Sequence, residues 1–468
     1  MVERVKKYGK WHILLALLTG VIMGPLDASI VYIAMPSIAQ HFNVDPQTVG
    51  WVSMSYLLVM GSFLLAFGRL GDMFGFRRLY LTGLLLFVTA SAFCGLSPSL
   101  GWLISLRALQ ALGAGLTMAM APAITTAAFP PEERGKALGI TGMAVALGLT
   151  LGPSIGGMLV EIYDWRLIFY VNIPIGIVAY FWCLKVLPDK LKEEQKKFDW
   201  QGAVLGFGAL STMLFFASRG QAVNWSWPVL LTGMMSLILL AGFIIVEKRV
   251  SDPMLDLNLF KNRVFSAGCI TSLLNFMTQY IVVFMTPFLL QEIMGYTAGQ
   301  AGAIMTAFPL TVLVLAPVSG ALSDKIGQRG LAFTGSLLCT LAAIALSNVE
   351  RNSSPLDVAW RLSLFGMGTG MFQSPITSAV MGSVPKFRLG IAAGVLSTTR
   401  NIGMVLGIAA GGAVLAVRQA FYSGRADAYL FGLRDAYLSA FLLSLACTLT
   451  TLLLEQPEAN EIEGKVNN

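Results

Sequence analysis

Asp27 and Arg107 are an acid and a base set deep in two different apolar stretches of this chain. Asp27 is the one acidic residue that the sequence places far inside such a stretch. A carboxylate in hydrocarbon is costly, so it marks function by default and calls for a named partner. Burial disfavours a charged carboxyl and a nearby cation favours it. A group held between those forces can take up and release a proton as access changes sides. Arginine keeps its charge, so Arg107 can serve as the fixed counter-charge. Counted from the outer helix ends, Asp27 and Arg107 lie roughly 12 and 8 Å deep at about 1.5 Å rise per residue, within reach of a long side chain. A purely structural clamp is the competing reading. Gln110, one helical turn beyond Arg107, can share the network.

Those side chains need helices to hold them in a membrane. The chain has 468 residues, 56% apolar and 12% charged, against a charged share of about a quarter in soluble proteins. The net charge of +7 raises nucleic acid as a partner, but the basic residues sit in short loops between apolar runs, which excludes it. A span needs about 20 mostly apolar residues. Fourteen candidates follow: 12–35, 49–68, 79–97, 102–127, 135–160, 166–186, 201–218, 227–246, 265–290, 300–322, 331–348, 359–382, 389–416 and 434–454. With the N-terminus inside, 23 of the 32 Lys and Arg residues fall on cytoplasmic positions. The expectation is a multi-pass protein of the bacterial plasma (inner) membrane with both termini cytoplasmic. The first apolar run continues through Asp27 to Pro36 without a small-residue cleavage site, so it reads as an uncleaved span rather than a signal peptide. Cys94, Cys183, Cys269, Cys339 and Cys447 lie singly in apolar segments, which speaks against a metal site or disulfide framework.

The chain repeats itself. Gly68-Arg-Leu-Gly-Asp72-Met-Phe-Gly75-Phe-Arg77 returns as Gly320-Ala-Leu-Ser-Asp324-Lys-Ile-Gly327-Gln-Arg329, 252 residues on. Glycines 148, 152 and 156 return at 403, 407 and 411, and Pro122 returns as Pro375. The expected organisation is an N-terminal six-helix bundle (12–186), a linker with two additional helices (187–264), a C-terminal six-helix bundle (265–454) and a cytoplasmic tail (455–468). Parallel halves of this kind belong to carriers whose substrate site lies near the midplane between them.

Four motifs in order resemble the major facilitator superfamily, in its fourteen-span drug:proton antiporter branch, over nearly the whole chain. They are Leu26-Asp27 through Pro36 in the first span, Gly68 through Arg78 in the following loop, Arg107 through Gly115 in the fourth span, and Gly148 through Gly157 in the fifth. The resemblance implies an all-α major facilitator fold of 14 helices. It implies export of amphiphilic drugs, monocationic or neutral, by alternating access on a proton gradient, with no cofactor and a monomeric chain. It assigns proton coupling to Asp27 and cavity sealing to the span with Gly148, Gly152, Pro153 and Gly156. Residues three or four apart on a helix let another helix approach, and proline bends it; ordinary close packing would use the same residues.

The remaining candidates are softer. Asp72, with Arg77 and Arg78 after it, can latch the inner side shut against a helix N-terminus or Arg134. Asp324 and Arg329 repeat the pattern weakly, since Gly330 replaces the second arginine. Arg400, about ten residues into span thirteen, has no acid near it in sequence. It can cap broken helix carbonyls or bind an anionic group, and the resemblance favours gating. Phe276, Tyr280 and Phe284 fall at i, i+4 and i+8, with Asn275 and Gln279 beside them. Together with Phe372, Gln373 and Tyr56 these are the candidate substrate contacts, although aromatic stripes also serve packing. His12 and His41 are the only histidines, and no phosphate-cradling loop is present, so enzyme and primary-pump readings fall away. Export or flipping of a native lipid or metabolite is the alternative within transport. The fifth-span motif argues against an uptake symporter.

Overall fold

Backbone N–H and C=O groups surrounded by lipid must be satisfied within their own segment, so apolar runs of this length become helices. The computed structural model describes residues 9–187, 200–219, 227–250, 257–385, 389–422 and 427–453. Among them there is no strand. Fourteen helical rods follow one another. They are α1 (Lys10–Val21 and Met23–Phe42), α2 (Trp51–Phe74), α3 (Phe76–Gly95), α4 (Leu100–Ala128), α5 (Pro131–Ile162), α6 (Leu167–Tyr170 and Asn172–Val186) and α7 (Trp200–Arg219). The series continues with α8 (Trp227–Arg249), α9 (Arg263–Phe288, continued by a π-turn), α10 (Ala298–Met305 and Ala307–Ile326), α11 (Gln328–Ser347), α12 (Pro355–Gly382), α13 (Leu389–Phe421) and α14 (Ala428–Thr451). Eleven of these are long and apolar enough to cross a membrane by length and composition. α2, α7 and α12 are not among them. α2 and α7 include side chains outside the described set, and α12 is diluted by glycine, serine, threonine and glutamine.

Local chemistry sets several helix starts. Ser99, Asn262, Thr297 and Ser354 each accept a backbone N–H of the first turn of α4, α9, α10 and α12, satisfying donors that a helix leaves orphaned. α1 passes through Pro36 without ending and runs to Phe42, so the first rod is longer than the sequence suggested. The turn after α2 places Gly75 at φ 90°, and the turn after α10 places Gly327 at φ 93°. Only glycine adopts that backbone readily, which explains why the loop motif keeps a glycine at both copies.

Packing repeats along with sequence. α1 lies on α5, and α9 lies on α13. Side chains at Gly148, Gly152 and Gly156 would strike the α1 backbone or Ser29, Ile30 and Ile33. Those at Gly403, Gly407 and Gly411 would meet Leu273, Met277 and Ile281 of α9. The α7–α8 pair packs on itself and touches both halves through α7, at α2 and α13. The halves meet along α2 and α13 and where α5 ends and α10 begins. There Glu161 accepts the Gly299 N–H (2.9 Å), the Ser154 and Thr306 hydroxyls bond (2.6 Å), and Gln291 donates to the Ile33 carbonyl (2.9 Å). Toward the other end of α5, the space beside Gly139 and Gly142 is open.

This seam makes a testable prediction. A side chain at Gly302 would run into the Pro153 carbonyl. Gly302→Val should part the ends of α5 and α10, so spin labels on them should shift to longer separations. An unchanged distance distribution would show that the seam does not depend on this approach.

Candidate functional site

Asp27 and Arg107 form a direct ion pair, and neither side chain is exposed beyond 1%. Each is held by further polar groups. Asp27 accepts from Gln110 Nε2 (3.0 Å) and Asn172 Nδ2 (2.8 Å). Arg107 donates to the Val52 carbonyl (3.3 Å) and to Gln110 Oε1 (2.6 Å). Gln110 in turn donates to Ser91 Oγ (2.7 Å). Five helices, α1, α2, α3, α4 and α6, therefore supply one hydrogen-bonded cluster. A buried pair is tolerable only when its remaining donors and acceptors are met in this way. The Tyr56 ring covers the cluster, with the Arg107 guanidinium 4.2 Å from its centroid. Asn172 and Ser91 carry no charge and drew no attention in the sequence. The signal for Asn172 was a lone amide in an apolar run, at the residue where α6 resumes after Tyr170.

On the other side of Tyr56 lies a cavity of about 350 Å3 between the halves. α1, α2, α4 and α5 line it from one half, and α9, α10, α12 and α13 from the other. Its wall is mostly apolar, with Met60, Met118, Leu149, Phe308 and Met404 among the lining residues. Tyr32 and Tyr280 meet across the halves at 5.8 Å, edge to face. Of the expected substrate contacts, Tyr56, Phe276, Gln279, Tyr280 and Gln373 line this space. Gln373 donates to Gln279 (3.3 Å).

Four expected contacts do not line it. Phe284 is fully buried and packs against Phe288. Each i+4 step overshoots a full turn by about 40°, so eight residues carry Phe284 about 80° away from Phe276. Phe372 joins an apolar cluster with Phe265 and Val380 instead, since its neighbour Gln373 takes the cavity face. Asn275 is buried away from the wall. Gln110 belongs to the Asp27 cluster.

The gating candidates scatter. Arg77 donates to the Leu184 carbonyl near the end of α6 (2.7 Å). Arg134 donates to Phe129 in its own turn (3.2 Å), while Arg78 is exposed. The side chains of Asp72 and Asp324 lie outside the described residues, so the latch they would form with Arg134 or Arg329 lies there too. Pro153 lines the cavity, whereas Gly148, Gly152 and Gly156 seat α5 on α1, the helix that carries Asp27. Arg400 caps no broken helix, because α13 is continuous around it. Its guanidinium lies 5.6 Å from the Phe276 centroid and donates to Thr377 Oγ1 (2.5 Å).

Duplicated helical bundles around a shared cavity, one holding a buried ion pair, define a secondary membrane carrier. The sequence matches the Major Facilitator Superfamily over residues 17–408 and 268–461. The chain belongs to that superfamily, whose members are in general carriers rather than enzymes. It is 37% identical to the riboflavin transporter RibZ of Clostridioides difficile, over 86% of this chain and 87% of that protein. It is 35% identical to the multidrug resistance protein Stp of Mycobacterium tuberculosis, over 85% and 74% of the two chains. The multidrug transporter MdtP of Bacillus subtilis is 31% identical over 89% and 78%. In fold it resembles a bacterial homologue of the human lysosomal transporter Spinster, with a TM-score of 0.69 at 17% identity, covering 95% of this chain and 96% of that one.

Proposed function

We propose that this carrier exports amphiphilic small molecules across the bacterial plasma membrane in exchange for protons. The observation that carries this reading is the Asp27–Arg107 pair. It is sealed from water, wrapped by Gln110 and Asn172, and separated from the cavity by the Tyr56 ring. Protonation of the Asp27 carboxylate removes the charge that holds Arg107. Arg107 touches Tyr56, and Tyr56 lines the cavity, so a change at the pair reaches the substrate space through one ring. α5 packs on α1 through its glycine file and carries the seam with α10, which links the same pair to the closed end. The seam lies at the end of α5 remote from the basic loops, so this conformation opens toward the cytoplasm. The organisation in this proposal is a bundle over 12–186, an added helix pair over 187–264, a second bundle over 265–454 and a tail from 455. Fourteen crossings, cytoplasmic termini, a monomer and no cofactor complete it.

Of the monocationic and neutral substrates that the sequence suggests, the neutral ones fit the cavity better. No acid lines the cavity among the described residues, and the Phe276 ring already has Arg400 beside it. A flavin is a specific second reading. It rests on the likeness to RibZ and on the Gln279–Gln373 amide pair, which leaves one donor and one acceptor group for a heteroaromatic edge.

The test is substrate-driven proton movement in liposomes holding the purified chain and a pH-sensitive dye. Adding neutral amphiphiles or riboflavin should release protons in proportion to substrate moved. Transport without proton movement would sink the antiport reading. Topology is checked separately: tags at both ends should react only from the cytoplasmic side, and an external C-terminus would refute the crossing number.

A further inference from the structure

Arg400 is the one charged residue among the described residues that line the central cavity. It also lines a second, open recess of about 460 Å3, with Gly320, Gln373, Ser374, Thr377 and Ser378. Arg400 therefore stands where an apolar chamber meets a polar one. Its own bonding is incomplete. One terminal nitrogen donates to Thr377, and the buried Nε–H has no hydrogen-bond partner. No carboxylate pairs with Arg400 among the described residues, unlike Arg107, which pairs with Asp27 and donates to Gln110 and Val52. Guanidinium groups carry five donors in a planar fork suited to carboxylates and other paired acceptors. An uncompensated cation within a membrane is retained only at a cost, which a bound acceptor offsets. The Gln279–Gln373 pair adds amide groups on the same wall.

We propose that Arg400, with Thr377 and Gln373, forms a recognition subsite for an anionic or strongly accepting head group on a flat amphiphilic substrate. The apolar body then lies among Tyr56, Phe276 and Tyr280, and polar substituents extend into the Ser374–Ser378 recess. This deepens the export reading above and depends on it for the identity of the cavity. The subsite also rejects cations. A positive substrate would meet the Arg400 charge and, among the described lining residues, no acid, which is repulsion of the kind that sets specificity.

Binding separates this proposal from coupling, because it is read without a proton gradient and an uncoupled protein would still show it. The full chain in nanodiscs is titrated against two dyes of one ring skeleton: resorufin, a flat monoanion at neutral pH, and oxonine, its diamino cation. Fluorescence anisotropy should show resorufin bound at least about tenfold more tightly, the worth of one charge-assisted hydrogen bond. Arg400→Gln should cost resorufin at least about tenfold and leave oxonine unchanged or improved. Arg400→Lys, which keeps the charge, should restore most of the resorufin affinity. Tighter binding of oxonine by the native protein overturns the proposal, as does failure of resorufin to bind. Arg400→Gln with unaltered resorufin affinity overturns it equally. If Arg400→Gln misfolds, the ratio of the two dyes on the native protein still decides.

Discussion

Asp27→Asn is expected to abolish uphill export while the protein stays folded. Asparagine matches aspartate in size, and its one side-chain oxygen can still accept from Gln110 and Asn172, while its amide nitrogen takes the position that faces Arg107. The substitution removes titration but little of the packing. A carrier that cannot exchange a proton at this site has no way to couple the gradient to the substrate, so its accumulation ratio should fall to that of liposomes without protein. Downhill exchange of labelled for unlabelled substrate needs only alternating access and should persist. The two assays together distinguish lost coupling from lost binding. Uphill export by Asp27→Asn at the native level would show that the proton travels through some other group.

What the sequence made legible follows from how conspicuous each residue is against its surroundings. Charges in hydrocarbon are rare, so Asp27, Arg107 and Arg400 stood out, and the first two proved to be partners. Uncharged polar residues are common in helices, so Asn172 and Ser91 passed unnoticed although they complete the cluster. Helical periodicity found Phe276 and Tyr280 on the cavity wall but carried the stripe too far, to Phe284, because it took no account of rotation over two full turns. It also could not tell which of two neighbours, Phe372 or Gln373, turns inward. The glycine file was read as a cavity seal. Its first contact is with α1, while close approaches across the halves are made at Gly61, Gly157 and Gly302, which carry no comparable periodic signature. Arg400 was visible, yet its neighbours were not. Thr377 lies 23 positions away in sequence and Phe276 far earlier, so the absence of a carboxylate partner for Arg400 among the described residues emerged only from the packing.

Arg107→Ala should destabilise the protein more than any other single change at the site, and Asp27→Asn should rescue it. Removing the arginine leaves a carboxylate with no exposed surface and only the Gln110 and Asn172 amides for company. Breaking a buried pair by deleting one partner typically costs roughly 3–5 kcal/mol, because the surviving charge is uncompensated. It also removes the group stacked on Tyr56 and the donor to Val52, neither of which a second substitution can return. In Arg107→Ala/Asp27→Asn the uncompensated charge is gone, so the double variant should unfold at a higher temperature than Arg107→Ala alone, though below the native protein. The non-additivity measures the coupling between the two positions directly. Uphill export should be absent from the double variant, since stability returns without a titrating group. Thermal unfolding of the four proteins in one detergent, read by tryptophan emission, gives the ordering. A double variant no more stable than Arg107→Ala would mean that the arginine acts through Tyr56 and Val52 rather than through the charge of Asp27.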